Sequence, residues 1–352
     1  VSYTANGGGH AQAFTSGYIY SSGAGTYHVR KNSAIFARYA ALNSQYGALS
    51  WPAGNETCTS STCQTRFHLG TITWSASTGA IEVTGAFEAA YAAAGRYTGP
   101  LGVAASAPVS FNVNGGGSAQ SFAGGHIYSS QAGTFALRKS SGIFAAYAAQ
   151  NSQYGPLGWP ASDETCTANG CQVIFTGGTI TWSAATGVFA VTGNFNTVYA
   201  ALGRSTGVLG AAASSPTSFT ANGGGSAQSF AGGYIYSSPA GTFHQRKNSA
   251  IFAAYAAQGS QYGALGWPSS EETCTATTCQ TTFTGGTITW SAEAGVRVVS
   301  GPIEVAYAAA GRYTGILGVA TSGPGNFTTN GGGQAQSFVG GHIYSSPAGT
   351  YH

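Results

Sequence analysis

The chain of 352 residues contains very little charge. Charged side chains make up 6% of it, methionine is absent, and the formal net charge at pH 7 is only +3. A charge this small and this scattered does not favour a nucleic-acid partner, which requires a dense basic surface. The sequence also has no apolar run long enough to cross a membrane as a helix. We therefore expect neither bound nucleic acid nor a membrane span.

Acidic residues, which most hydrolases require, are also scarce. Asp163 is the one aspartate, and the glutamates that recur in every copy are Glu56, Glu164 and Glu272. A Ser-His-Asp triad needs an aspartate near a histidine, and glycoside hydrolysis commonly needs two carboxylates at a set separation. No phosphate-loop, dinucleotide-binding or nucleophile-elbow motif is present. We therefore expect no enzymatic activity, no catalytic residue and no cofactor.

What the sequence contains instead is a repeat. The segment NGGG-x-AQ-x-F begins at Asn6, Asn114 and Asn222, a period of 108 residues, and begins again at Asn330. Each copy consists of two similar halves: the A repeat carries Q-x-F-x-x-G-x-IYSS, and the B repeat carries CQ-x-x-F-x-x-G-TITWS. The structural unit is therefore about 54 residues long, and units of this kind bury their apolar faces by stacking on neighbours.

Four domains follow from this periodicity. They are three double repeats and one partial repeat, at residues 1–108, 109–216, 217–324 and 325–352. The partial repeat has the strands of an A repeat without its helix. We expect it either to cap the array or to show that the chain is a piece of a longer array, with a slight preference for the second.

Each half has the pattern of a small antiparallel sheet followed by a short helix. Gly70–Trp74 alternates in the manner of a strand, and Gln64–Phe67 and Ile81–Val83 have strand character on either side. In the first A repeat Ser33 is the predicted N-cap of the helix, and in the first B repeat Gly95 follows the predicted helix end. The fold class is therefore a β-rich repeat protein of six units and a partial seventh, arranged as a propeller-like ring or an open, filament-like stack.

The six cysteines form three C-x4-C pairs. A metal site would need two more ligands in each copy, and no histidine recurs at one position in all three copies. The spacing therefore favours local disulfides and no metal. Disulfides that recur in every copy indicate an oxidising compartment, so we expect a secreted protein. The pairs are Cys58 with Cys63, Cys166 with Cys171, and Cys274 with Cys279.

Three recurring sets of residues are candidates for contact with a ligand or another subunit. The first is a pair of aromatic side chains on the strand face opposite Ile19, either exposed to a ligand or packed on the next unit. The second is the arginine ahead of each A helix, which either meets a partner or pairs with the glutamate of its copy. The third is the tryptophan of the LGWP motif. The sets are Tyr18, Tyr20, His126, Tyr128, Tyr234, Tyr236, His342 and Tyr344; Arg30, Arg138 and Arg246; and Trp51, Trp159 and Trp267.

The tryptophans of the B strands receive a different prediction. Trp74 alternates with Thr73 and shares a strand face with Ile72, which is apolar and expected to be buried. Trp74 and its equivalents Trp182 and Trp290 are therefore assigned to the core.

The motifs Leu49–Pro52, Leu157–Pro160 and Leu265–Pro268, followed by Q-x-F and G-x-I-x-W-S, resemble the LGFP repeat family. The resemblance covers essentially the whole chain. It implies a secreted protein of the actinobacterial cell envelope, in which such repeats tether a partner to wall glycan and perform no chemistry. The B repeats depart from the pattern, because Leu101–Ala104 and its equivalents lack the aromatic residue and the proline.

Two functions remain compatible with the sequence. The first is a non-catalytic extracellular protein that binds or organises the cell envelope through wall polysaccharide, and the family resemblance favours it. The alternative is a structural subunit of an extracellular fibre or surface layer, built from further copies of the same repeat. The low charge, the 55 glycines and the near-identity of the copies favour this alternative.

Overall fold

The computed structural model describes all residues, Val1–His352. It contains six α-helices and seven four-stranded antiparallel sheets, so the predicted β-rich repeat fold is confirmed. The chain divides into two compact units: Val1–Cys166 with Cys171–Ile180, and Thr167–Gly170 with Thr181–His352. The double-repeat boundaries, and the choice between a ring and an open stack, stay predictions.

Every sheet is a meander, in which neighbouring strands also follow one another in the chain. The strands of the first four sheets are β1 Ser2–Tyr3, β2 Gly9–Ala13, β3 Gly17–Ser22 and β4 Gly25–Arg30; β5 Thr57–Cys58, β6 Thr62–Phe67, β7 Gly70–Ser75 and β8 Gly79–Thr84; β9 Val109–Phe111, β10 Gly117–Ser121, β11 Gly125–Ser130 and β12 Gly133–Arg138; β13 Thr165–Thr167, β14 Gly170–Phe175, β15 Gly178–Ser183 and β16 Gly187–Thr192. Those of the last three are β17 Thr217–Phe219, β18 Gly225–Ser229, β19 Gly233–Ser238 and β20 Gly241–Arg246; β21 Thr273–Cys274, β22 Thr278–Phe283, β23 Gly286–Ser291 and β24 Gly295–Ser300; β25 Gly325–Phe327, β26 Gly333–Phe338, β27 Gly341–Ser346 and β28 Gly349–Tyr351.

One helix follows each of the first six sheets. The predicted helix limits are confirmed: the Ser33 hydroxyl accepts hydrogen bonds from the backbone N–H groups of Ile35 and Phe36. Gly95, just past the second helix, has a φ of 83°, the left-handed conformation that ends many helices. The helices are α1 Ala34–Ala41, α2 Gly85–Ala93, α3 Gly142–Ala149, α4 Gly193–Ala201, α5 Ala250–Ala257 and α6 Gly301–Ala309.

A buried tyrosine in every helix connects it to the following loop and sheet. In α3 the ring of Tyr147 lies 4.5 Å from the ring of Phe175, and its hydroxyl donates to the carbonyl of Gly158 at 2.7 Å. The other five helices repeat both contacts. Because the ring is apolar and its hydroxyl has a partner, this side chain is buried without an unsatisfied polar group. The six residues are Tyr39, Tyr91, Tyr147, Tyr199, Tyr255 and Tyr307.

A glutamine forms a second connection between a B sheet and the A sheet that follows it. The Gln120 side-chain amide donates to the carbonyl oxygens of Glu82 at 2.9 Å and Ser106 at 3.0 Å. Gln228 and Gln336 make the equivalent pairs of hydrogen bonds. The Q-x-F motif therefore has two structural tasks, because its glutamine binds the preceding strand and its phenylalanine packs on the helix tyrosine.

The LGWP tryptophans, which we predicted as contact residues, lie in the core. Trp51, Trp159 and Trp267 are at most 2% exposed. The indole N–H of Trp159 donates to the carbonyl of Val113 at 3.0 Å, just before the NGGG turn. The turn glycine Gly117 makes room for the ring, since a Cβ atom there would lie 2.9 Å from the indole. The prediction of an exposed LGWP tryptophan is therefore wrong, because the loop folds beneath its own A sheet.

The B-strand tryptophans, which we predicted to be buried, are partly exposed. Trp182 is 39% exposed, and Trp74 and Trp290 are half-buried. Trp74 lies next to the end of β7, directly across from Cys63 on β6. Strand alternation places Trp74 on the same face as the buried Ile72. It does not show how far along β7 the elements that pack on this face extend. The core assignment is therefore wrong for Trp182, whereas Trp74 and Trp290 pack against the core but are only half-buried.

These two sets of tryptophans make a direct test possible. Replacement Trp159→Ala should lower the free energy of unfolding by about 3–5 kcal/mol, because it leaves a large cavity and frees a buried carbonyl. Trp182→Ala removes a ring that already meets solvent and should cost much less. Denaturant unfolding of both variants measures the difference, and equal losses would contradict the burial described here.

Candidate functional site

The aromatic residues of the A strands do not form an exposed face. Tyr20, Tyr128 and Tyr236 are at most 5% exposed, and burial raises the pKa of Tyr20 to about 12. The ring of Tyr128 lies 5.8 Å from Tyr147 of α3 and 6.3 Å from Trp159. The exposed-face prediction is wrong for these residues, because the helix of the same repeat folds back onto this face.

The seventh sheet and the first sheet differ from the others. Tyr344 of β27 is 56% exposed, and no helix packs on its face. Ile19 of β3 was expected to be buried but is 41% exposed, whereas its equivalent Ile127 is fully buried beneath the preceding helix α2. Burial of the isoleucine face therefore depends on the helix of the preceding repeat.

A groove lies along the partly exposed aromatic residue of the second A repeat, and we call it, with the equivalent positions of the first and third A repeats, the A groove. His126 lines it, and His126 and its equivalents Tyr18 and Tyr234 are half-buried and lie 5.3–5.5 Å from a phenylalanine of the adjacent helix. In the second A repeat the groove has a volume of about 320 Å³ and is lined by β9, β10, β11, α3 and residues 151–154. The outer aromatic residues predicted from the sequence are thus packed against the helix of their own repeat instead of forming an open face, and His126 lines the groove.

An exposed tyrosine forms one side of the A groove. Tyr154 is 53% exposed, and its ring meets Phe111 of β9 edge-to-face at 5.8 Å. Its equivalents Tyr46 and Tyr262 are 55% and 66% exposed. Sequence reasoning missed these three residues, although the motif S-Q-Y-G in every A repeat marks them. B repeats have a threonine at this position, so only the A repeats offer the ring.

The asparagine of the NGGG motif holds this tyrosine in place. Asn114 donates from its side-chain amide to the carbonyl of Gln153 at 2.7 Å and to that of Gly155 at 3.1 Å. The two acceptors flank Tyr154, and the same pair of contacts recurs from Asn6 and Asn222. The turn that presents the tyrosine is therefore fixed before any ligand arrives, which reduces the entropy lost on binding.

The disulfides predicted from C-x4-C are confirmed in all three copies. Each lies beside the recurrent glutamate of its copy. Since both sulfurs of each pair are bonded to each other, neither is available as a thiolate ligand for a metal ion. Each cluster of one glutamate and two cysteines therefore offers a metal ion a single carboxylate, which is not a complete set of ligands.

The predicted arginines pair with the glutamate of their own copy. Arg30 contacts Glu56, Arg138 lies 3.3 Å from Glu164, and Arg246 lies 3.3 Å from Glu272. The arginine side chains remain 40–54% exposed, while the glutamate side chains are 4–11% exposed. Of the two alternatives for these arginines, pairing within the copy is confirmed.

In the third double repeat a pocket lies beside this ion pair. We call it the disulfide pocket. It has a volume of about 300 Å³. Arg246, Glu272, Cys279 and Trp290 line one part of it, and residues 248–251 at the start of α5 line the other. The half-buried tryptophan therefore lies in a polar pocket, which strand alternation alone did not predict.

The sequence matches the LGFP repeat family at residues 49–99, 157–207, 209–263 and 265–315, more than half of the chain. The chain belongs to the LGFP repeat family. Each matched LGFP repeat begins at a Leu-Gly loop, or at Leu49-Ser50 in the first match, and continues through one sheet and one helix. The family repeat thus contains both partners of the helix-tyrosine contact of the preceding unit, the loop carbonyl and the sheet phenylalanine.

Other comparisons add little. No curated protein matches the sequence. The chain aligns with the extracellular domain of a hybrid two-component system from B. thetaiotaomicron at 9% identity and a TM-score of 0.14, over 96% of this chain and 38% of that one. It aligns with the CNH domain of AfRom2 at 8% identity and a TM-score of 0.13, over 95% and 92% of the chains. TM-scores this low carry no argument. No helix in the structure has the length and apolar character needed to cross a membrane.

His126 in the second A groove should make the stability of the folded protein depend on pH. Burial, with a smaller contribution from the charge of Lys139, lowers the pKa of His126 from its ordinary value to about 4. Between pH 6.5 and 4 the unfolded chain therefore binds a proton that the folded chain does not, so stability is complete above pH 6.5 and decreases toward pH 4. His126→Tyr restores the residue type of Tyr18 and Tyr234 and should remove this loss, which is about 1–2 kcal/mol because solvent screens the partly exposed ring.

Unfolding of both proteins in denaturant at pH 7.5 and at pH 4.5 measures this difference. The carboxylates titrate equally in the two proteins, so they cancel in the comparison. An identical pH dependence of both proteins would show that His126 is protonated as readily when folded as when unfolded.

Proposed function

We propose that this LGFP repeat protein is a non-catalytic, extracellular protein that binds cell-wall glycan through its A grooves. The observation that carries the proposal is the exposed tyrosine that recurs in all three A repeats, which in the second lies beside a groove of about 320 Å³. An aromatic ring can pack on the apolar face of a sugar, and nearby hydroxyl and amide groups can hydrogen-bond its hydroxyls. The turn residues Asn151, Ser152 and Gln153 bring such groups to the second groove.

The number of exposed tyrosines suits a polymeric ligand. Three equivalent positions on one chain can engage a polysaccharide at several points, which raises the apparent affinity without any strong single site. The near absence of surface charge agrees with a ligand recognised through ring faces and hydroxyl groups. The three disulfides agree with an extracellular location.

The contacts of the acidic residues support a role without catalysis. A side-chain oxygen of Asp163 accepts a hydrogen bond from the backbone N–H of Ala136 on the edge strand β12. The recurrent glutamates are held by arginines, as described above. These carboxylates therefore have structural partners within the protein.

The alternative function, a structural subunit that contacts further copies of the repeat, is favoured by one specific observation. Phe14 and Ile19 are 46% and 41% exposed on one face of the first sheet. Their equivalents Phe122 and Ile127 are fully buried. An exposed apolar face of this kind is suited to contact with a further copy of the repeat, in the same chain or in another. Electron microscopy of the purified protein tests this alternative, since a subunit of a fibre should form filaments.

Loss of the exposed tyrosines should weaken binding to wall glycan. The combined replacement Tyr46→Ser, Tyr154→Ser and Tyr262→Ser is expected to lower the amount of protein that sediments with insoluble wall polysaccharide by about tenfold or more, because each ring contributes about 1 kcal/mol. The matched control is Val208→Ser with Ile316→Ser, which removes apolar side chains that are 56% and 75% exposed in the B repeats.

Both variants should keep the thermal stability of the parent protein, since all the changed side chains meet solvent. Sedimentation of the tyrosine variant at the parent level, or an equal loss in the control, would contradict the assignment of the A groove.

A further inference from the structure

We infer that the disulfide pocket of the third double repeat, and the equivalent residues of the first, form a second kind of sugar site, which recognises two neighbouring hydroxyl groups on one ring. The inference rests on the proposed function in taking a saccharide as the ligand. It uses residues that do not belong to the A groove, so the two can fail separately.

The first observation is a buried carboxylate oxygen without a partner. Glu272 has a side chain only 10% exposed; its Oε1 lies 3.3 Å from Arg246, and its Oε2 has no hydrogen-bond partner in the protein. Glu56 repeats this arrangement with a side chain 4% exposed. A buried charged oxygen of this kind is costly unless a donor reaches it. The terminal torsion of glutamate is soft, so a small rotation can turn Oε2 toward the pocket.

The second observation is the donor beside that oxygen. Arg246 contributes one Nη to Glu272, and 40% of its side chain remains exposed, so further N–H groups point to solvent. An acceptor and a donor therefore lie next to each other at the pocket. Neighbouring hydroxyl groups on a sugar ring have the matching pattern, because one can donate to the carboxylate while the other accepts from the guanidinium.

The third observation is the aromatic ring. Trp290 is half-buried and lines the same pocket as Arg246 and Glu272. An indole beside a polar pair can pack on the apolar face of the ring whose hydroxyls the pair binds. The volume of about 300 Å³ is at the low end for small-molecule sites, so the pocket suits a single sugar residue.

The second double repeat provides an internal comparison. There Glu164 has partners for both oxygens, because Ser141 donates to Oε1 at 3.0 Å and Arg138 donates to Oε2 at 3.3 Å. The equivalent serines, Ser33 and Ser249, make no contact with their glutamates and only cap their helices. The second double repeat lacks the open acceptor, so two sites per chain are expected instead of three.

The test follows tryptophan fluorescence of the full chain during titration with methyl hexopyranosides of gluco, galacto and manno configuration. At least one of them should shift the emission to the blue and saturate, with two sites per chain, because the sugar removes water from Trp74 and Trp290. The fully O-methylated form of the same sugar cannot donate to the carboxylate and should give no saturating shift. The double variant Glu56→Gln with Glu272→Gln should weaken binding about tenfold.

Glu164→Gln is the matched control and should bind as the parent protein does. Should the double glutamate variant fail to fold, Arg30→Gln with Arg246→Gln replaces it, because these side chains are largely exposed. The tyrosine variant of the A groove should retain the fluorescence response, so a failure of wall sedimentation and a failure of this site remain distinguishable.

Three results would overturn the inference. They are the absence of a saturating shift with every sugar, equal binding of the O-methylated sugar, and equal effects of Glu164→Gln and the double variant.

Discussion

The contact between the helix tyrosine and the Leu-Gly loop is the interaction on which the whole repeat depends. Its ring packs on a phenylalanine of the next sheet, and its hydroxyl binds a loop carbonyl, in all six helices. The loop residue that supplies the carbonyl has a positive φ, 67° at Gly158 and 63° at Ser50. Glycine adopts this conformation without strain, which explains the Leu-Gly motif, and Ser50 is the one position where a side chain is tolerated there.

A and B repeats share this contact and differ in the residues that follow it in the loop. In A repeats the loop continues with a tryptophan whose indole lies under the sheet and binds the chain ahead of the NGGG turn. In B repeats the same position holds a small residue such as Val103, and the sheet begins with the strand of the disulfide. The lining of the A groove belongs mainly to the A half, whereas the disulfide pocket combines the arginine and helix start of the A half with the glutamate, cysteine and tryptophan of the B half.

Many residues of the site could be identified from the sequence because they recur in every copy. The sequence did not show which of them are exposed and which are buried. Alternation correctly places Tyr18 and Tyr20 on one strand face, yet that face is covered by α1, which begins some distance along the chain. The exposed Tyr154 belongs to a turn outside any alternating pattern, so strand periodicity could not reveal it. The pairing of Arg138 with Glu164 was one of two alternatives, and only their proximity in the fold decided between them.

The sequence by itself determined the period, the strands and helices, the helix caps and the three disulfides. These features depend on residues close together in the chain, where spacing and local backbone preferences are sufficient. Only the tertiary structure decided that Trp159 is buried while Trp182 meets solvent. It also decided that in the second double repeat the Ser141 hydroxyl donates a hydrogen bond to the Glu164 carboxylate. Exposure and hydrogen-bond partners are set by whichever element packs on a face, and that element is contributed by a part of the chain that local patterns do not specify.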